Sequence, residues 1–273
     1  MVAIHFYQPG AVDISFDFPT EWNELLPEEL EAFARCQLTE YAVAGQDKAE
    51  FLRALITIRA RLSGKGLPGD FFERLSIDDA VTSGFDLLNF LYEKNELTKQ
   101  PYPILEGFTG PADDFNSIIC GEYEDCDFFF NQFREEPAPE PLARLAAVLF
   151  RPKGTPYLKW NGKANEYERY DIEKVLPKFL AIDGAILYTV FIWFTGCRNR
   201  LPLYFPTAFK SDGSASDEPD FTAFTQCIHG AAGPKNGTRE KVRTLPLKEL
   251  FFDLEQEAKK VEDYKKEMAR LKR

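Results

Sequence analysis

Apolar and polar positions alternate near the start of the chain. Val12, Ile14, Phe16 and Phe18 fall on one side of an extended run, and Asp13, Ser15 and Asp17 on the other. That is the two-residue period of a half-buried strand. Val2–Tyr7 is a second strand-like run, and Pro9-Gly10 between the two is a turn signal, so residues 1–19 are expected to form a β-hairpin. A lone hairpin is marginal in water, so this one is expected to lean on helices or on a partner's sheet.

The period then lengthens. Pro19 ends the strand, and Pro27-Glu28-Glu29 is a helix start, because proline needs no amide partner there and carboxylates favour the positive end. Leu30, Phe33, Ala34, Leu38 and Tyr41 mark an apolar stripe. Phe51, Leu55, Ile58 and Leu62 mark a second, which Gly64-Lys65-Gly66 stops. Residues 68–95 read as two short helices, 100–115 as a Pro- and Gly-rich loop, and 123–133 as helix or buried segment. Three prolines and three glutamates between Glu135 and Pro141 read as a linker or rigid surface loop. Leu142, Leu145, Ala146 and Leu149 give another helical stripe.

Further on, Pro177 and Gly184 are expected to break any helix between Ile172 and Phe194. Ala185–Phe194, AILYTVFIWF, carries no charge and reads as buried helix or strand. It is too short to span a bilayer, which takes about twenty apolar residues. Residues 153–170 read as a loop or short hairpin, and 211–219 and 231–239 as polar loops. After Pro246 comes the clearest helix. Leu247, Leu250, Phe251, Leu254, Ala258, Val261, Tyr264, Met268 and Leu271 recur at helical spacing, with Glu255/Lys259 and Glu262/Lys266 as supporting pairs. The stripe is dense to Leu254 and sparser beyond, which predicts that the first half docks on its own domain and the second half is free for a partner.

The expected fold is therefore mainly α (α+β): an N-terminal β-hairpin on a multi-helix body with a long C-terminal amphipathic helix. The expected regions are 1–19 (hairpin), 20–134 (helical), 135–141 (linker), 142–244 (second, mostly helical) and 245–273 (amphipathic helix). The 25 Phe residues against 2 Met predict a rigid rather than adaptable core.

Charge narrows the function. The net charge of -11 argues against a duplex-binding protein, which needs clustered cations to displace counterions. Lys235, Arg239, Lys241 and Arg243 form one small basic group, and Lys259–Arg273 is a richer one interleaved with Glu and Asp. Cys36, Cys120, Cys126, Cys197 and Cys227 are an odd, widely spaced set, which fits reduced thiols in a cytoplasm.

Motifs for chemistry are sparse. Ser63–Gly69 lacks the spacing and Lys-Ser/Thr ending of a phosphate loop. Cys120 with Cys126, and Cys227 with His229, do not make the ligand pairs of a structural zinc site. His5 and His229 are the only histidines, and neither has a nucleophile motif nearby. Glu122, Glu124, Asp125 and Asp127 lack the order of a calcium loop and are expected to be solvated rather than salt-bridged to a partner. No catalytic residue, cofactor or metal is assigned. A site assembled in space from carboxylates would escape this reading.

Phe18-Pro19-Thr20-Glu21-Trp22-Asn23-Glu24-Leu25 resembles the "F-P-x-x-W-N-E-L" strand-to-helix passage of proteins from tailed phages and prophages of Bacteroidetes type. Within that group the chain looks like a tail-assembly-chaperone-like protein. The resemblance implies a non-enzymatic, protein-binding factor in the host cytoplasm that holds a tail component such as the tape-measure protein. The alternatives are a virion structural subunit of the tail or connector, and an enzyme with an unrecognised carboxylate site. Trp22 is expected to anchor the hairpin to the first helices. Trp22, Val261, Tyr264, Met268 and Leu271 are the candidate protein-contact residues, with a tail component or a second copy as partner and neither nucleic acid nor membrane.

Overall fold

The computed structural model describes residues 1–8, 12–38, 46–64, 66–74, 87–152, 172–210 and 223–271. The expected turn at Pro9-Gly10, the stripe residue Tyr41 and the polar stretches 153–170 and 211–219 lie outside the described residues. The chain is mainly α with a smaller β content. Its backbone packing divides into two units, residues 1–97 with 183–196, and residues 98–182 with 197–273.

The first unit opens on the hairpin, β1 (Val2–Gln8) and β2 (Val12–Phe18), antiparallel with Val2 opposite Phe18 and Gln8 opposite Val12. Ser15 and Asp17 face solvent and Phe18 is fully buried, as the alternation demands. The side chains of Val12, Ile14 and Phe16 are not among those described. The hairpin leans on helices, since β2 packs against α2 (Gln46–Leu62), which in turn packs on α1 (Pro27–Leu38). Leu30, Phe33 and Ala34 of α1 meet the core together with Phe51, Leu52, Leu55, Ile56 and Ala60 of α2. The predicted α2 stripe is thus rotated: Leu62 is exposed, and Leu52 and Ile56 take the inner face. Leu38, counted into the α1 stripe, is exposed as well. Gly64, at φ +71°, ends α2 in the left-handed conformation that glycine tolerates.

Trp22 sits in a short 3-10 turn between β2 and α1. Its ring meets Phe33 and Phe90 edge-on at 5.7 and 6.0 Å, and its indole N–H donates to the Phe90 carbonyl at 3.1 Å. Glu29 is buried beneath the same region. Its carboxylate accepts from the Leu26 amide at 2.8 Å and from Arg59 of α2 at 2.8 Å. Burial pushes the Glu29 carboxyl up despite those donors. Beyond α3 (Phe71–Arg74), the chain passes through a 3-10 turn at Asn89–Tyr92.

Ala185–Phe194 is helical, which settles the helix-or-strand alternative: it lies in α7 (Gly184–Tyr204), the helix whose residues are shared out between the two units at Gly196 and Cys197. Asp183 caps its start by accepting the Ala185 amide at 2.8 Å. Val190, Trp193 and Phe194 are fully buried. Among the described residues no helix is long and apolar enough to cross a membrane.

In the second unit, β3 (Ile104–Leu105), β4 (Phe108–Thr109) and β5 (Arg151–Pro152) form a small antiparallel sheet that the loop reading of 100–115 missed. Glu106 and Gly107, both at positive φ, make the tight β3–β4 turn. The helices here are α4 (Cys120–Glu135), α5 (Pro139–Leu149), α6 (Ile172–Leu180), α8 (Ala223–Ala231), α9 (Arg239–Arg243) and α10 (Leu247–Leu271). Residues 135–141 hold the end of α4, three connecting residues and the start of α5, and the two helices pack on each other. Pro177 does not break α6. The interruption falls at 181–183, and Pro177, the sixth of the nine residues of α6, removes a single backbone bond without ending the helix.

Two substitutions test the first unit. Trp22→Ala should cost about 3–5 kcal/mol in urea unfolding, because it empties a buried site lined by aromatic rings. A loss below about 1 kcal/mol would place Trp22 at the surface. At Gly196 an added Cβ would lie 2.2 Å from the Leu97 carbonyl oxygen and 2.6 Å from its nitrogen. Gly196→Ala should therefore destabilise by roughly 1–3 kcal/mol although alanine is the better helix former. A neutral or stabilised variant would show that the 95–97 backbone does not cross the helix there.

Candidate protein-binding surface

The position of α10 follows from how its first half is held. Ahead of the helix, the Cys120 amide donates to the Leu245 carbonyl, and the Leu247 amide donates to the Ile118 carbonyl, both at 2.9 Å. These bonds tie the start of α10 to the start of α4. Leu247, Leu250 and Phe251 are buried. The Phe251 ring stacks on Phe205 at 5.7 Å and meets Phe209 at 5.0 Å and Phe224 at 5.8 Å. Lys248 reaches Asp114 at 2.6 Å, and Lys235 reaches Asp253 at 2.9 Å.

The last fixed point is Glu255. Its carboxylate is buried and accepts the amide N–H groups of Thr207 and Ala208, each at 2.8 Å, with the Lys259 ammonium at 3.1 Å. Burial alone would raise this carboxyl. The Ala208 and Thr207 donors and Lys259 outweigh it and lower the group from 4.5 to about 2. The i,i+4 pair with Lys259 was legible in the sequence. The two amides that complete the clamp come from residues 48 and 47 positions away and left no signal.

Beyond Glu255 the helix leaves its own domain's cover. Val261 is 52% exposed, Tyr264 63%, Met268 38% and Leu271 75%. These four predicted contact residues share one face of α10, at successive spacings of three, four and three. They continue a seven-residue repeat in which Leu247, Leu254, Val261 and Met268 take one position and Leu250, Tyr264 and Leu271 the other. Glu257 stands at the remaining position of the repeat and interrupts the seam where docking stops. Trp22, the fifth predicted contact residue, is 5% exposed inside the first unit.

The acidic knot on α4 is where the sequence reading fails. Glu122, Glu124 and Asp127 are buried rather than solvated. Glu122 pairs with the buried Arg151. Glu124 takes Arg239 at 3.2 Å, Arg243, and the Thr225 hydroxyl at 2.7 Å. Asp127 takes Arg198 at 3.0 Å. Removing charges from water is tolerable only with such partners, and the partners lie 29 to 119 residues away. Each carboxylate is thereby matched to a guanidinium that joins α4 to another element. Burial pushes the thiols of Cys120, Cys126 and Cys197 far above their ordinary range, so they stay protonated. Among the described residues no three His, Cys, Asp or Glu side chains gather as a metal site requires.

No family model, no curated protein and no solved structure matches this chain.

The Glu255 clamp predicts a pH dependence. A carboxyl held below its unfolded value stabilises the fold fully above about 4.5 and loses that contribution as pH falls toward 2. Chemical denaturation between pH 6 and pH 2.5 should show wild type losing more stability over this window than Glu255→Gln, which has no carboxyl there to protonate. Parallel profiles for the two proteins would mean that Glu255 is not clamped.

Proposed function

We propose that this chain is a non-enzymatic protein-binding factor whose partner docks along the exposed half of α10. The supporting observation is the face bearing Val261, Tyr264, Met268 and Leu271, carried into solvent by a helix whose first half is fixed by Glu255 and Phe251. Four large apolar side chains in one exposed helical stripe are suited to receive a partner helix at the same repeat.

The setting we propose is phage tail assembly in the bacterial host cytoplasm, with a long helical tail component such as the tape-measure protein as the segment held. The resemblance of Phe18–Leu25 to tailed-phage proteins supports this setting. Phe18, Trp22 and Leu25 are buried, so that run is a folding element and the binding role falls to α10. The alternative, a virion subunit, uses the same seam to join a second copy. For an enzyme, the buried carboxylates of α4 would be the place to look, and their pairing with arginines favours a structural role.

Truncation after Lys260 should cost less than about 1 kcal/mol, since the described ion pair that joins the removed segment to the rest of the chain, Lys210–Glu262, has an exposed lysine. Full-length chain co-expressed with a tape-measure protein from the same genome should keep that protein soluble and co-purify with it, and the truncated chain should do neither. A truncated chain that unfolds places the whole helix in the core and ends this reading. A full-length chain that is dimeric by light scattering, and monomeric once truncated, favours the subunit alternative.

A further inference from the structure

The charges beside the exposed seam select the kind of helix that can fill it. This inference rests on the protein-binding reading above and adds the partner's chemistry. In the seven-residue repeat the exposed seam is flanked by Lys260 and Glu267 on one side and by Lys265 on the other. Two of those three positions are lysine. Along α10 the described ion pairs use Lys259 with Glu255, and Lys266 with Glu262 and Asp263. Among the described residues Lys260 and Lys265 enter no ion pair. Residues 259–273 carry seven Lys or Arg against three Glu or Asp, a net +4, in a chain of net -11. The remaining residues therefore carry -15, so the seam lies in a basic stretch of an acidic chain.

We propose that the exposed half of α10 takes an amphipathic helix with acidic residues flanking its apolar stripe. Such a helix gains at Lys260 and Lys265 and loses only at Glu267. A second copy gains less. In parallel register Lys260 faces the other copy's Lys265, and the two repel. Like-charge flanks exclude wrong partners while opposite ones set register and speed encounter, so the lysines confer selectivity on a seam whose binding energy is apolar.

The test uses the full chain and two synthetic helical peptides with identical leucine seams, one with glutamate and one with lysine at every flanking position. Fluorescence anisotropy at 0.05 and 0.3 M salt reads the affinities. The glutamate peptide should bind roughly tenfold more tightly than the lysine peptide at low salt, and the gap should shrink at high salt. A Lys260→Glu/Lys265→Glu chain should reverse the preference, and Val261→Ser/Met268→Ser should abolish binding of both peptides with little change in thermal melting. Equal binding of both peptides overturns the charge selection and leaves the protein-binding reading standing. A dimer in light scattering that truncation after Lys260 abolishes overturns the choice of an acidic partner in favour of a second copy. Failure of both peptides, with binding to vesicles of anionic phospholipid, overturns this inference and the protein-binding reading together, since the basic face would then be serving a lipid surface.

Discussion

A carboxylate withdrawn from water must be met by donors, and in this chain those donors come from far along the sequence. Glu29 draws Arg59 of α2 against α1, and Glu122 draws the β5 arginine against α4. Glu124 gathers Arg239 and Arg243 of α9 and Thr225 of α8. Glu255 takes two backbone amides beyond the end of α7. Aromatic burial supplies most of the driving force but has little directional preference. The buried acids supply direction, because an uncompensated charge costs several kcal/mol and the arrangements that satisfy all of them are few. Removing a single arginine from this set is therefore a different matter from removing a surface one.

This explains which parts of the structure were legible in the sequence. Local patterns held: the strand at β2, the proline-acid start of α1, the glycine stop of α2 and the long helix of α10 each depend on neighbours a few residues away. The α2 stripe was misplaced because Phe51, Leu52, Leu55, Ile56 and Ala60 form a broad inner face, and a list keyed to spacings of four and three picks only one edge of it. The acidic knot was misread for a different reason. Periodicity shows no arginine opposite Glu124 when the nearest partner lies 115 residues away, so four acids within six residues looked like a wet surface. The α7 close approach at Gly196 was equally hidden, since it needs the backbone at Leu97 in place.

The candidate surface was more legible than the core around it, because it consists of one helix. A helix that keeps a seven-residue apolar repeat after its own domain has stopped covering it shows both facts in its residues. The repeat is visible in Val261, Tyr264, Met268 and Leu271, and the charge around them marks a face made for water until something displaces it. The thinning of the stripe after Leu254 also showed where cover ends, and what sequence did not reveal was the contact that fixes it. That point is set by the Glu255 clamp.

Glu255 and Glu257 together divide the helix. Two residues apart, they point about 200° away from each other on a helical wheel, so one turns toward the domain and the other away. Glu255 is buried and lies against backbone amides, whereas Glu257 is exposed and near Lys235. The first gives α10 a fixed end, and the second places a charge in the seam where a continuous leucine stripe would otherwise run on. An unbroken seam would let a partner helix slide toward the domain and compete with Phe251 for its aromatic neighbours. A charge at position 257 makes that slide costly, because it would bury an acid against apolar side chains. The break thus separates a face committed to folding from an exposed face, the one proposed above for a partner.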